Sequence, residues 1–236
     1  MKLGIIGAMD VEVATLKENM QNKTERIIAG SSYVEGTLEG LSVVVVQCGV
    51  GKVNAALCVQ ALCDCFNVTH ILNTGVAGSL NAELDIGDFV ISNEAIYHDF
   101  DCSVINPKYS VGQVPGVDVR AFPADEKLVQ MAYRAADAIC PGHAHIGIVA
   151  SGDQFVCNKA QKETIVKNTN ALCTEMEGAA ISHAAYRNSV PVVVIRAISD
   201  KADDSAQMDY PTFEAIAAKR CADVVQTMAM GLALLN

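Results

Sequence analysis

The sequence predicts a single α/β domain over residues 1–236, a three-layer sandwich around a central mixed β-sheet. Three observations point there. Short β-branched runs alternate along the chain with amphipathic stretches, the order that βαβ units produce. Most of those runs are apolar without a polar alternation, as in strands covered on both faces. One Glu39-Gly40 step between two extended segments reads as a hairpin turn and adds an antiparallel pair. No linker, repeat or low-complexity tract divides the chain.

The elements follow in order. Lys2–Ala8 reads as a buried first strand, and Asp10–Met20 as a helix with Val11, Val13, Leu16 and Met20 set among acids. Ser32–Leu38 and Leu41–Cys48 form the hairpin. Gly49-Val-Gly51 opens a helix that runs to about Phe66. Val68–Asn73 is a buried strand ending in Thr74-Gly-Val-Ala-Gly78, and Ile86–Ser92 is another. Asn93–Val119 is a long polar and aromatic connection, and a loop of that length in a compact domain is usually functional. Ala124–Cys140 is a helix. Ala144–Ala150 is a strand ending in Ser151-Gly-Asp153. Lys159–Asn168 is helical, and Leu172–Thr174 is a short strand leading into Glu175-Met-Glu177. Gly178–Asn188 is a helix. Val190–Asp200 is a buried strand whose β-branched run gives way to Arg196, Ser199 and Asp200. Asp209 and Pro211 start a C-terminal helix with Phe213, Ile216, Ala217, Cys221, Val224, Val225 and Met228 on its apolar face.

Composition narrows the partners. At 51% hydrophobic and 19% charged the chain is globular. A net charge of −10 without any Lys or Arg cluster argues against nucleic acid or an anionic membrane and suits a small neutral or zwitterionic substrate. The nine cysteines are scattered, form no CxxC and fall mostly in apolar segments, as expected of reduced thiols in a cytoplasmic protein. The N-terminus lacks the length of a signal peptide, and no apolar run approaches the ~18 residues of a membrane helix.

Several strands end in small or acidic residues, and in open α/β sheets ligands bind outside the carboxyl ends of strands. Gly49-Val-Gly-Lys52 is not a P-loop, because Val46 and Val53 stand where the pattern requires glycine and Ser or Thr. Gly4-Ile-Ile-Gly7 lacks the first glycine of a dinucleotide fingerprint. His143-Ala-His145 has no third ligand near it in sequence and reads as a surface turn, so no metal is expected. Ser151 and Ser199 lack the setting of a hydrolase nucleophile. What remains is a set of carboxylates, Glu12, Glu175, Glu177 and Asp200. Asp200 reads either as a loop cap or as a proton donor whose burial raises its pKa. Glu175 and Glu177, flanking Met176, read either as a ribose-binding face or as acids at a helix N-terminus.

Gly4-Ile-Ile-Gly-Ala-Met9 with Glu12, Asn73-Thr-Gly-x-Ala-Gly78, Tyr97-His-Asp99, Gly112-Gln-x-Pro-Gly116, Ser151-Gly-Asp-x-Phe155, Glu175-Met-Glu177 and Val194-x-Arg-Ala-Ile-Ser-Asp200 together resemble the bacterial 5′-methylthioadenosine/S-adenosylhomocysteine nucleosidases, of the nucleoside phosphorylase superfamily. The matches run in order across nearly the whole chain. The resemblance implies a cofactor-free hydrolase that releases adenine. Asp200 would protonate adenine N7, held by Ser199 and Arg196, and Glu12 would deprotonate the attacking water. Glu177 would bind the ribose hydroxyls, with Met176 packed against the sugar and Met9 close by, while Glu175 stays a substrate-binding candidate from the ribose-face reading alone. Phe155 would stack on adenine while the backbone of Val156 reads its edge. Val76 and Gly78 fall in the matched strand end. Val50, Tyr210, Tyr109 and Pro115 would line the 5′-alkylthio slot, the last two coming from the partner of a homodimer. Val76 and Gln154 depart from the family pattern, where smaller or more polar residues are expected. The alternatives are an aminodeoxyfutalosine nucleosidase with the same catalytic trio and a phosphate-dependent purine nucleoside phosphorylase. Asn73 and the absence of any arginine before Arg26 speak against the second. A non-catalytic nucleoside-binding module would be expected to lack one of Glu12, Glu177 and Asp200.

Overall fold

The computed structural model describes residues 1–235. The chain runs β1 Lys2–Gly7, α1 Asp10–Asn19, β2 Gln21–Ile28, β3 Ser31–Leu38, β4 Leu41–Gln47, α2 Lys52–Phe66, β5 His70–Ser79, β6 Phe89–Tyr97, β7 Phe122–Pro123, α3 Glu126–Ile139, β8 Ala144–Ser151, α4 Lys159–Thr169, β9 Cys173–Glu175, α5 Gly178–Arg187, β10 Val192–Asp200 and α6 Ala206–Ala233. The strands form one mixed sheet in the order β10-β6-β8-β9-β5-β1-β4-β3-β2, with β7 on β6. β1, β4, β5 and β10 are parallel through their mutual pairings. Helices α1, α3 and α6 pack on one face and α2 and α5 on the other, which gives the expected three layers.

The hairpin turn is where the Glu-Gly step places it. Glu39 and Gly40 both have positive φ (50° and 82°), and Leu38 pairs with Leu41 across them, the geometry of a primed two-residue turn. Each of the buried strands β1, β4 and β10 carries its β-branched or leucine run at near-zero exposure. Burying such side chains contributes roughly 1.5–3 kcal/mol apiece before chain entropy is counted, so these strands hold the sheet in place around the site.

Three elements differ markedly in extent from expectation, and one strand was not expected. The strand β5 does not stop at Asn73 but continues to Ser79, paired with β10 from Ile71↔Val192 to Gly78↔Asp200. Its glycines mark close approach rather than a turn. The strand β6 starts at Phe89, because Gly87 at φ 95° turns the chain after Ile86, and it extends to Tyr97, taking five residues from the expected long connection. Strand β2 has no counterpart in the sequence reading. It is polar and exposed along almost its whole length, as edge strands are. Helix α6 begins at Ala206, three residues before Asp209, with Pro211 inside it, and Ile216 is exposed rather than on the packed face. A further feature was not foreseen: β10 pairs with β5 as well as with β6, so β5, β10, β6, β8 and β9 close into a ring.

Candidate active site

The ring closure decides which residues meet. The strand ends were expected to converge as parallel neighbours. β9 in fact runs antiparallel to β5, with Thr174 opposite Gly78, and still delivers Glu175, Met176 and Glu177 to the end of β5 and β10. A cleft of about 240 Å³ lies there. Its walls are Ala8, Met9 and Glu12 after β1, Val50 before α2, Val76, Ala77 and Gly78 of β5, and Gln154, Phe155 and Val156 after β8. Thr174 to Glu177, Ser199 and Asp200 of β10, and Tyr210 of α6 complete it.

Glu12 is almost fully buried at the third position of α1, where a carboxylate reaches back to the helix N-terminus. One oxygen, Oε2, accepts from the amides of Ala8 (2.7 Å) and Met9 (3.0 Å), and Oε1 accepts from the amide of Val76 (3.1 Å). Burial raises its pKa above the usual carboxylate value. The Arg196 guanidinium and the three amides pull it partly back. Gly75 makes this seat possible, since a Cβ there would collide with Glu12 Oε1 and lie 3.0 Å from Arg196 Nη1.

Asp200 ends β10 on the same cleft. Its Oδ1 accepts from the amide of Ala202 (2.8 Å) and its Oδ2 from the hydroxyl of Ser199 (2.9 Å). Burial again raises the pKa, those two hydrogen bonds lower it, and the charges of Asp209 and Asp203 raise it further. A buried carboxyl with a raised pKa on a cleft wall is suited to hold a proton and give it up.

The two glutamates around Met176 divide the roles that the sequence left open. The strand ends at Glu175, so the alternation does not continue to Glu177, which sits at the N-terminal boundary of α5. Glu175 lines the wall, yet both its oxygens are taken. It accepts from the hydroxyl of Ser151, from the amides of Glu177 (3.1 Å) and Gly178 (2.8 and 3.0 Å), and from Arg196. Among the described residues Glu177 accepts only from the amide of Gly51, at 2.8 Å on Oε1. Its pKa is pushed up to about 8, first by burial and next by the charge of Glu175. Glu177 therefore keeps a carboxylate oxygen free for a ligand.

Arg196 is not beside Asp200, contrary to expectation. The two are four residues apart on a strand, about 13 Å along its axis. The Arg196 guanidinium instead donates to Asn73 Oδ1 at 2.5 Å and pairs with Glu175 beneath the cleft. Tyr109 and Pro115 lie on the loop between β6 and β7 and do not line the cleft of their own chain. Phe155 is half-exposed and meets the edge of Tyr210 at 5.4 Å and 77°. His143 lies at the turn before β8 and bonds to Asp88 (Nδ1 to Oδ1, 2.7 Å). Among the described residues no group of three or more His, Cys, Asp and Glu is placed to hold a metal.

Sequence reasoning passed over the supports. Ala8, Ala77 and Thr174 are wall residues without a chemical signature. Lys52, discarded with the P-loop, carries an ion pair to Asp99 (2.7 Å), while its amide donates to Asp153 Oδ1 (2.8 Å). These contacts tie the start of α2, and so the Gly51 amide, to the segment that leads into Phe155.

The description of the phosphorylase superfamily matches residues 2–229. A 5′-methylthioadenosine/S-adenosylhomocysteine nucleosidase of a Geobacillus species is 38% identical over 233 residues, covering 98% of this chain and 99% of the relative. Among solved structures, the nucleosidase of the same name from Streptococcus pneumoniae, with the transition-state inhibitor MT-ImmA, superposes with a TM-score of 0.92 at 36% identity, covering 98% of this chain and 100% of that one. The futalosine hydrolase of Helicobacter pylori superposes with a TM-score of 0.91 at 31% identity, covering 97% of each chain.

Proposed function

The chain belongs to the phosphorylase superfamily, with the 5′-methylthioadenosine/S-adenosylhomocysteine nucleosidases among its relatives, and we propose on that premise how its cleft works. It is an N-glycosyl hydrolase of adenine nucleosides, cleaving 5′-methylthioadenosine and S-adenosylhomocysteine to adenine and the 5-substituted ribose. The observation that carries the assignment of roles is the placing of three buried carboxyls, Glu12, Glu177 and Asp200, on different walls of one cleft, each with a raised pKa.

Adenine leaves poorly as an anion. Asp200, protonated because burial favours its neutral form, gives its proton to N7 as the C1′–N9 bond breaks. Positive charge develops on the ribose, and the carboxylates on the facing walls stabilise it. Glu12 takes a proton from water as the water oxygen bonds to C1′. Its raised pKa makes it a stronger base than an exposed carboxylate, and the Val76, Met9 and Ala8 amides fix its aim. General acid help of this kind is worth about 10²–10⁴ in rate. Glu177 holds the ribose diol with the oxygen that Gly51 leaves free, Met176 and Met9 pack on the sugar, and Phe155 and Val156 hold the base.

A homodimer completes the site. Tyr109 and Pro115 do not reach their own cleft, and Val50, Val53 and Leu57 leave an exposed apolar stripe beside its mouth. Exposed Val104 and Ile105 lie on the loop that carries Tyr109. The nine free thiols suit the reducing cytoplasm, and products of this kind suit a role in methionine salvage and the activated methyl cycle. The deciding experiment is adenine release from methylthioadenosine, S-adenosylhomocysteine, 5′-deoxyadenosine and aminodeoxyfutalosine, each with and without phosphate. Phosphate-independent release from the first two is expected. A phosphate requirement with ribose-1-phosphate product would sink the hydrolytic reading, and turnover of aminodeoxyfutalosine alone would reassign the substrate.

A further inference from the structure

Three walls of the cleft have an occupant in the reading above, on which this inference rests: Asp200 faces the base, Glu177 the diol and Glu12 the attacked carbon. The wall left for the 5′ substituent runs from Val50 and Met9 to Tyr210. Val50 and Met9 suit an uncharged thioether. Tyr210 does not end that wall in hydrocarbon. Its hydroxyl donates to Glu214 Oε1 at 2.9 Å and lies 3.3 Å from Met9 Sδ. Tyr210 and Glu214 are one turn apart on α6, on a common face. The ring edge-packs on Phe155, so the hydroxyl is fixed from two directions. Glu214 is half-buried and takes part in no ion pair among the described residues. A partly desolvated carboxylate without a protein cation, one hydroxyl away from a ligand slot, is a ready partner for a cation that arrives with the ligand.

We propose that Tyr210 and Glu214 form an ammonium-binding end of the 5′ slot, so that this cleft favours adenine nucleosides whose 5′-thioether tail carries a primary ammonium over those with an uncharged tail. Glu214 takes the charge, the Tyr210 oxygen accepts a second N–H, and Met9 lies alongside the tail. An anionic tail lacking the ammonium would meet Glu214 as a like charge and is disfavoured.

The test compares two tails of one length on the full chain: 5′-(3-aminopropylthio)-5′-deoxyadenosine, which carries the ammonium, and its 3-hydroxypropylthio counterpart, which does not. The expected kcat/KM ratio in favour of the amine is about tenfold, the usual scale for a partly exposed charge-assisted contact. Glu214→Gln, which keeps an acceptor for Tyr210 and the side-chain volume, should bring that ratio close to one. Tyr210→Phe should lower it partway. A ratio near one in the unaltered protein, or an equal ratio in Glu214→Gln, overturns the proposal. Calorimetric binding of the same two nucleosides to Asp200→Asn reads the preference without the reaction. Tail preference in binding with no hydrolysis by the unaltered protein would count against the proposed reaction alone, whereas hydrolysis without tail preference would count against the ammonium site alone.

Discussion

Gly78 and Asp200 face each other across the β5–β10 ladder, at the register shift that ends the pairing, and a Cβ on Gly78 would lie 2.7 Å from Asp200 Oδ1. The same Cβ would be 2.8 Å from that of Ala202, whose amide holds the same carboxyl oxygen. The missing side chain is thus part of how the acid is seated.

Gly78→Ala should therefore displace Asp200 rather than block the cleft. The expected result is a fall in kcat of about tenfold or more, with overpacking costing about 1–3 kcal/mol of stability. Steady-state adenine release and thermal melts check both. A variant with normal kcat would mean that Asp200 has room to move without consequence.

Ser199 stabilises the charged form of Asp200 through its hydroxyl, which lowers the pKa that burial raises. Ser199→Ala removes the lowering contact, so the acid should keep its proton to higher pH. The alkaline limb of the kcat profile is expected to move upward in pH, with a modest loss in rate from poorer positioning. A limb that stays in place, or moves to lower pH, would show that another group sets it.

The readable part of this site is what the chain carries locally. The β-branched run Val192–Ile195 announces a buried strand, and the acids after β1, β9 and β10 announce a polar end to apolar strands. The unreadable part is set across the fold. Gly75 and Gly78 look like turn residues in sequence, because the carboxyls of Glu12 and Asp200 that exclude a Cβ come from 63 and 122 positions away. Arg196 reads as a neighbour of Asp200 only while the strand direction is ignored. Its partners Asn73 and Glu175 come from β5, which pairs with β10, and from β9, which pairs with β5. Strand β2 escaped because an exposed edge strand has no apolar pattern to read.

Asp200→Asn should abolish turnover yet raise stability at alkaline pH. With the folded pKa raised, the folded state binds this proton more tightly than the unfolded chain. That contribution is full below the unfolded value and is lost as pH rises through the folded one, so above it the buried charge is a cost. Asparagine removes the charge and still accepts from the Ala202 amide. At pH 8 a gain of about 1 kcal/mol, or roughly 2–4 °C in Tm for a chain of this size, is expected. The gain should shrink towards pH 4. A lower Tm at pH 8 would contradict the sign.

Arg196 offers the sharpest separation of structure from chemistry. It is 2% exposed and bridges Asn73 and Glu175, with the charges of Glu12 and Glu177 also close enough to raise its pKa. Arg196→Met would leave Glu175 buried without its cation, and breaking a buried pair on one side typically costs about 3–5 kcal/mol. The pKa of Glu12 should also rise, since the Arg196 charge is its largest lowering influence. The acid limb of kcat/KM, where the base must be ionised, should then shift to higher pH. Adding Glu175→Gln removes the stranded charge while keeping acceptors for the Glu177 and Gly178 amides, so the double variant should recover part of the lost stability but not the Glu12 shift. Equal destabilisation of the single and double variants would mean that Arg196 acts through packing alone.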